Sequence, residues 1–200
     1  MLADLKIARK LSLLLVLPMA TFLFVVSAEN IQRWKTIDHL KAIERSLVVS
    51  LSAGELIHEL QKERGYTAGF LGSKGKRFAS ELTEQTDKSN SAYKNFTAVL
   101  AGADSQENGS LARIFAASNQ KFTDLSATRT AAKDARIDAL QAIAAYNTSI
   151  NELISAISEL NARADLAFTS IIRLLHGKEI AGQERATLNA AFSAGTFSKQ

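Results

Sequence analysis

Apolar residues recur every three or four positions through most of this chain, which is the spacing of one face of an α-helix. The alternation of apolar and polar residues that marks a half-buried strand does not occur. The pattern predicts long helices, with an interruption or a bend at His176-Gly177 before the last helical piece. The predicted ranges are Glu29–Phe70, Phe78–Leu100, Leu111–Ala132, Ile137–Leu175 and Lys178–Phe192. With a single proline and short polar loops, they predict an all-α, antiparallel helical bundle.

The amino terminus has the pattern of a membrane anchor. A basic stretch at residues 6–10 precedes an uncharged, mostly apolar run at residues 11–28. That run is at the lower limit of what a helix needs to cross ~30 Å of hydrocarbon. Because flanking cations favour the cytoplasm, we expect residues 1–10 inside the cell and residues 29–200 on the periplasmic or extracellular side of the inner membrane.

A cleaved signal peptide is the alternative interpretation of the same run. Val26-Ser27-Ala28 fits a small-residue cleavage site. The run is longer than a usual signal core, and Trp34 follows it where a headgroup-level aromatic is expected. These two features favour an uncleaved anchor preceding the bundle.

Composition excludes several classes of function. The chain has no cysteine, which excludes disulfides, thiolate nucleophiles and cysteine-ligated metals. Its three histidines lack metal-ligand spacing, so we predict neither a metal nor a cofactor. The net charge of +4 is not gathered in a basic stripe, and we expect no nucleic-acid partner. Without a visible nucleophile–base pair or phosphate-binding loop, we expect no enzymatic activity.

Two arginines are predicted to lie on apolar helix faces. The two predicted stripes are Ile57, Leu60, Arg64, Ala68, Leu71 and Ala181, Arg185, Leu188, Phe192. A guanidinium keeps its charge at any physiological pH, so a buried one needs a carboxylate partner or a bound anion. If antiparallel helices bring Arg64 and Arg185 together, their planar forks suit a small oxyanion. Gly65 and Gly182 would leave space beside them.

Periodicity alone leaves a structural alternative open. Arg64 could pair with Glu184, and Arg185 with Glu63, as buried ion pairs that serve the fold alone. The chain would then be a membrane-anchored helical bundle acting as a dimerisation or structural module.

Two motifs favour the first interpretation. Residues 56–71 (LIHELQKERGYTAGFL) strongly resemble the first motif of the nitrate- and nitrite-sensing domain family. Residues 177–186 (GKEIAGQERA), followed by Phe192 and Gly195-Thr196-Phe197, resemble the second motif. The resemblance covers about residues 37–197, with both motifs in the family's order.

The resemblance implies a helical bundle that binds nitrate or nitrite and relays occupancy to an output. It assigns anion binding to Arg64 and Arg185, and we include their motif neighbours as supporting residues: Gln61, Glu63, Gly65, Gly182 and Glu184. Some family members carry a further arginine where this chain has Gly65, which puts the identity of the anion in question.

The membrane segment resembles that of transmembrane receptors in the family, which include chemoreceptors, histidine kinases and cyclic-dinucleotide enzymes. We therefore expect a periplasmic sensor domain of a bacterial inner-membrane receptor, forming a homodimer. Members of the family continue beyond the position of Gln200 with further helices, a second span and an output module. This leads us to expect that the chain is truncated at its carboxyl terminus.

Overall fold

The computed structural model describes residues 7–103, 110–161 and 167–195, and the described chain is helical apart from short turns. Five helices follow one another: α1 (Ile7–Gly72), α2 (Ala79–Ala103), α3 (Ser110–Lys133), α4 (Ala139–Asn161) and α5 (Ala167–Ala194). Helix α2 packs on α3, α3 on α4, and α4 on α5. The predicted all-α helical bundle with an apolar amino-terminal helix is therefore confirmed.

The chain divides into two units, Met1–Glu44 and Arg45–Gln200. In the first, α1 contains an 18-residue window with a mean hydropathy of 1.8, none of it buried inside the protein. Large apolar side chains are exposed there; that of Phe24, for example, is 75% exposed. This length and composition are those of a membrane span or of a signal sequence.

The second unit is organised around the carboxyl-terminal part of α1, from Arg45 onward. Side chains of α2, α3, α4 and α5 each form hydrogen bonds with residues of this part of α1. Its apolar core is continuous across the helices and contains, among others, Leu56, Ile57, Leu60, Phe96, Leu100, Leu125, Ile150, Ile154 and Ile157. Aromatic stacking adds to it, since the rings of Tyr93 and Phe122 lie 3.7 Å apart.

Local sequence sets the helix boundaries. Helix α1 ends at Gly72, as the glycine- and lysine-rich stretch predicts, and Gly75 takes the left-handed φ of 76° in the turn that follows. Before α4, the carboxylate of Asp138 accepts a hydrogen bond from the Gln141 amide at 2.7 Å, and the Gln141 side chain accepts one from the Asp138 amide at 3.0 Å. This reciprocal cap satisfies two amides that the helix leaves free.

The predicted boundary between the last two helices is wrong. Helix α5 runs without a break through His176 and Gly177, where we expected an interruption or a bend. A single glycine costs a helix only about 1 kcal/mol, which is too little to end it. Helix α4 ends at Asn161 and α5 begins at Ala167, within the single helix that we predicted up to Leu175, and residues 162–166 lie outside the described residues. Of the polar loop predicted at residues 102–110, residues 102 and 103 belong to α2 and residue 110 to α3, while residues 104–109 lie outside the described residues.

Candidate anion-binding site

Arg64 is the largest side chain that is fully buried, with 0% of its surface exposed. It lies on the predicted stripe of α1, where Ile57, Leu60 and Ala68 are also buried. Its Nη1 donates hydrogen bonds to Oδ1 of Asn147 at 2.6 Å and to Oε1 of Glu179 at 2.5 Å. Helices α4 and α5 thus meet the guanidinium from two sides.

Only one of the three guanidinium nitrogens is satisfied. Within residues 7–103, 110–161 and 167–195, Nε and Nη2 of Arg64 are buried and have no hydrogen-bond partner. A guanidinium has five N–H groups, and the two on Nη1 are the ones in use. The remaining edge can donate side by side to two oxygens of one planar anion.

Glu179 supplies the charge that balances Arg64. The carboxylate is 2% exposed and accepts further hydrogen bonds from Gln61 and Gln183, both at 2.8 Å. Because α5 carries Glu179 and α1 carries Gln61 and Arg64, the cluster joins the two helices that bear the two sequence motifs.

Gly182 brings α5 close to the free edge of Arg64. A Cβ atom at this position would lie 2.6 Å from Nη2, so only glycine fits without displacing the guanidinium. Gly182 also lines a pocket of about 660 Å³ together with Gly65, Lys178 and Arg185. The buried guanidinium is therefore separated from an open pocket by little more than the glycine backbone.

The pocket beside Gly182 is basic. Lys178, Gly182 and Arg185 follow each other at intervals of one helical turn on α5, and Lys62 faces them from α1. Among the described residues, no carboxylate lines this pocket. Lys62 is paired with Glu59 at 3.1 Å, whereas Lys178 and Arg185 have no carboxylate within ion-pair distance in the part of the chain that the structure describes.

His58 adds a neutral donor or acceptor at the rim of this pocket. Lys178 Nζ lies 3.0 Å from Nδ1 of His58 and can donate to it. Burial, followed by the nearby cations Lys178, Lys62 and Arg185, lowers the pKa of His58, although Glu59 opposes this shift. The imidazole is therefore mostly uncharged at neutral pH.

A second buried ion pair, which the sequence did not reveal, lies on the other side of α1. Glu63 is fully buried and receives two hydrogen bonds from Arg129, at 2.6 and 2.7 Å. It also accepts from the hydroxyls of Tyr146 at 2.9 Å and Thr86 at 3.1 Å. Burial, followed by the charge of Glu63, raises the pKa of Tyr146 well above its usual range, so this hydroxyl stays a donor.

Arg64 does have a buried carboxylate partner, as in the structural alternative, but the two pairs given as examples of that alternative are wrong. Arg64 pairs with Glu179 rather than Glu184, and Glu63 pairs with Arg129 rather than Arg185. Glu184 is exposed. The sequence contained one clue, and it concerns Arg129, which is the one charged residue among the small residues 126–132.

The predicted inward stripe of α5 is also wrong. Arg185 is exposed, as are Ala181, Leu188 and Phe192, while Glu179, Ala186 and Ala190 are buried. Small residues let α5 approach α1 closely, so its buried face is not its most apolar one. Of the predicted supporting residues, Gln61, Gly65 and Gly182 lie at the pocket, and Glu63 belongs to the second ion pair.

Comparison with known proteins agrees with the two motifs. A family model described as nitrate and nitrite sensing matches residues 55–200, which include Arg64, Glu179, Gly182 and Arg185. The chain belongs to this family. Both motifs thus lie within the nitrate- and nitrite-sensing domain, and the family assignment predicted from the sequence is confirmed.

Two comparisons with known proteins found matches whose names describe regulatory proteins. The chain is 29% identical over 167 residues to the nitrate regulatory protein of Klebsiella oxytoca, covering 81% of this chain and 42% of that protein. The structure of the NasR transcription antiterminator matches with a TM-score of 0.76 at 26% identity, covering 88% of this chain and 49% of that one. The chain therefore spans half or less of the length of these relatives.

Proposed function

We propose that this chain senses nitrate or nitrite by binding the anion at the buried edge of Arg64, which the anion reaches from the pocket past the backbone of Gly182. The observation that carries the proposal is the free edge of Arg64: Nε and Nη2 are fully buried and lack a partner among the described residues. Buried donors without acceptors cost about 1–3 kcal/mol, and more when charged. A planar oxyanion on this edge would recover that energy.

Lys178 and Arg185 suit the role of guiding the anion to this edge. Both line the pocket on either side of Gly182, and both are exposed, so they can attract an anion from solution. In this proposal Arg185 contributes charge from the pocket wall, whereas Arg64 forms the directional hydrogen bonds. The neutral His58 and Gln61 also belong to the polar part of the wall.

Calorimetric titration of the full chain in detergent with sodium nitrate tests the site. We expect binding by the unaltered chain. Arg185→Ala should weaken it roughly three- to tenfold, because an exposed cation contributes modestly and is screened by salt. Arg185 makes no ion pair within the described residues, so its removal should leave the melting temperature unchanged.

Arg113→Ala is the matched control, since Arg113 is exposed on α3 and does not line the pocket. Its nitrate affinity should equal that of the unaltered chain. Absence of nitrate and nitrite binding by the unaltered chain would contradict the sensor function and leave the structural bundle as the better description. An equal loss of nitrate affinity in Arg185→Ala and Arg113→Ala would show that Arg185 has no specific role at the site.

We further propose that residues 11–28 anchor the domain in the inner membrane with residues 29–200 outside the cytoplasm. The basic stretch before the apolar window and the exposure of that window support this placement. Signal transfer to an output, and the homodimer expected from the resemblance, stay predictions of the same proposal.

Because the chain has no cysteine, single cysteines can report the topology without background labelling. Ser80→Cys, at an exposed position of α2, should react with a membrane-impermeant maleimide in intact spheroplasts. Ala3→Cys should react only after the membrane is permeabilised. The reverse pattern would overturn the orientation. A shortened chain released from the membrane would instead indicate a cleaved signal peptide.

A further inference from the structure

The carboxylate of Glu179 binds the same guanidinium as the proposed ligand, through Nη1 rather than through the free edge of Nε and Nη2. Its Oε1 lies 2.5 Å from Nη1 of Arg64, and the side chain is 2% exposed. A carboxylate is itself a planar oxyanion, with two oxygens arranged much as in nitrite or along one edge of nitrate. Glu179 therefore presents to Arg64 the same chemical group that a ligand would present.

The carboxylate and a bound anion compete electrostatically. The Glu179 Oε2 atom lies 3.9 Å from the position that a Cβ of Gly182 would take, and Nη2 of Arg64 lies 2.6 Å from the same position. An anion bound at Nη2 would thus have a second negative charge close by, in a site where burial weakens screening. A single buried cation cannot balance two negative charges.

Two hydrogen-bond donors can continue to stabilise the Glu179 carboxylate after its ion pair with Arg64 breaks. Gln61 donates to Oε2 from α1, and Gln183 donates to Oε1 from the next turn of α5. Both contacts are 2.8 Å long and neither involves Arg64. A small shift of the Glu179 side chain can therefore break the ion pair without leaving a buried charge unsolvated.

We infer that Glu179 is an internal oxyanion that holds Arg64 in the ligand-free state and is exchanged for the bound anion. The inference rests on the proposed function. It makes Glu179 the residue that sets the affinity of the site, and it gives binding a structural consequence. Exchange loosens a contact between α1 and α5, the two helices that bear the family motifs.

A purely structural role for Glu179 leads to the opposite expectation. If the carboxylate only positions Arg64, its removal lowers both the stability of the fold and the affinity for the anion. If it competes with the anion, its removal lowers stability but raises affinity. The two roles predict changes of opposite sign in the anion affinity. Comparing one variant of Glu179 with one control variant therefore separates them.

The experiment compares Glu179→Gln with Glu55→Gln in the full chain, using sodium nitrate and sodium nitrite as probes. Glu55 is exposed on α1, does not line the pocket and forms no ion pair among the described residues. For Glu179→Gln we expect a lower melting temperature without anion and an affinity about tenfold higher, since a like charge is removed from the site. Glu55→Gln should match the unaltered chain in both.

A second variant keeps the test decisive if Glu179→Gln does not fold. Glu179→Asp retains the charge but withdraws it by one methylene, and it should raise the affinity severalfold. If the unaltered chain binds the anion but the folded Glu179 variants bind it equally or less tightly, the exchange is wrong while the proposed function stands. No binding by any of the proteins contradicts the proposed function and the exchange together.

Discussion

Replacing Arg64 with methionine should abolish nitrate binding and lower the free energy of unfolding by about 3–5 kcal/mol, the usual cost of removing one partner of a buried ion pair. Methionine fills much of the volume but leaves the 2%-exposed carboxylate of Glu179 without its cation. Asn147 also loses the donor that reaches its Oδ1 at 2.6 Å. Both effects follow from the complete burial of Arg64.

The double variant Arg64→Met with Glu179→Leu separates binding from folding. Removing both charges often leaves a protein as stable as before, because neither charge then has to be desolvated. We expect the double variant to recover most of the lost stability but none of the nitrate affinity. Thermal unfolding monitored by circular dichroism, with calorimetry on the same samples, measures both quantities.

If the double variant still binds nitrate with the original affinity, Arg64 does not bind the anion. Arg64→Lys provides an intermediate case: it retains the charge but loses the planar edge formed by Nε and Nη2. Its affinity should fall by at least roughly tenfold if side-by-side hydrogen bonds matter, since each charge-assisted bond contributes about 1.5–3 kcal/mol.

Replacing Glu63 with glutamine should destabilise the bundle by a similar amount, about 3–5 kcal/mol, while leaving nitrate binding intact. Glu63 is fully buried and is held by Arg129 in two hydrogen bonds. Neutralising it leaves the Arg129 guanidinium, whose side chain is 11% exposed, without an anion. The Tyr146 and Thr86 hydroxyls retain the amide oxygen as acceptor, but the amide NH2 group cannot accept from Nη2 of Arg129, so the loss reports the charge together with one hydrogen bond.

The melting temperature of the full chain should fall by roughly 10 °C for Glu63→Gln, because 1 kcal/mol corresponds to about 2–4 °C for a domain of this size. Glu55→Gln, exposed on the same helix, is the control and should leave the melting temperature unchanged. Calorimetry should give the original nitrate affinity for both variants. A loss of affinity in Glu63→Gln alone would show that the two ion pairs are coupled through α1.

The adjacent residues Glu63 and Arg64 explain why these two predictions differ. Successive helical residues point about 100° apart, so Glu63 meets α2, α3 and α4 while Arg64 meets α4 and α5. One of the resulting clusters is fully satisfied. The other leaves Nε and Nη2 without partners in the described chain, and it lies behind the basic pocket.

The sequence alone determined the helical class, the end of α1 to within two residues (Phe70 predicted, Gly72 observed) and the inward position of Arg64. These depend on local chemistry: apolar spacing on α1, and a glycine-rich turn after it. The two motifs also indicated the family correctly, because they record residue types at fixed spacing rather than contacts.

Only the tertiary structure decided which face of α5 is buried and which carboxylates meet the arginines. Hydrophobic spacing placed Arg185 inward, but Gly182, Ala186 and Ala190 are the residues that let α5 approach α1. Close approach requires small side chains, whereas periodicity identifies large apolar ones, so the two criteria selected different faces. Ion-pair partners come from distant parts of the chain, and their choice depends on helix packing that no local pattern records.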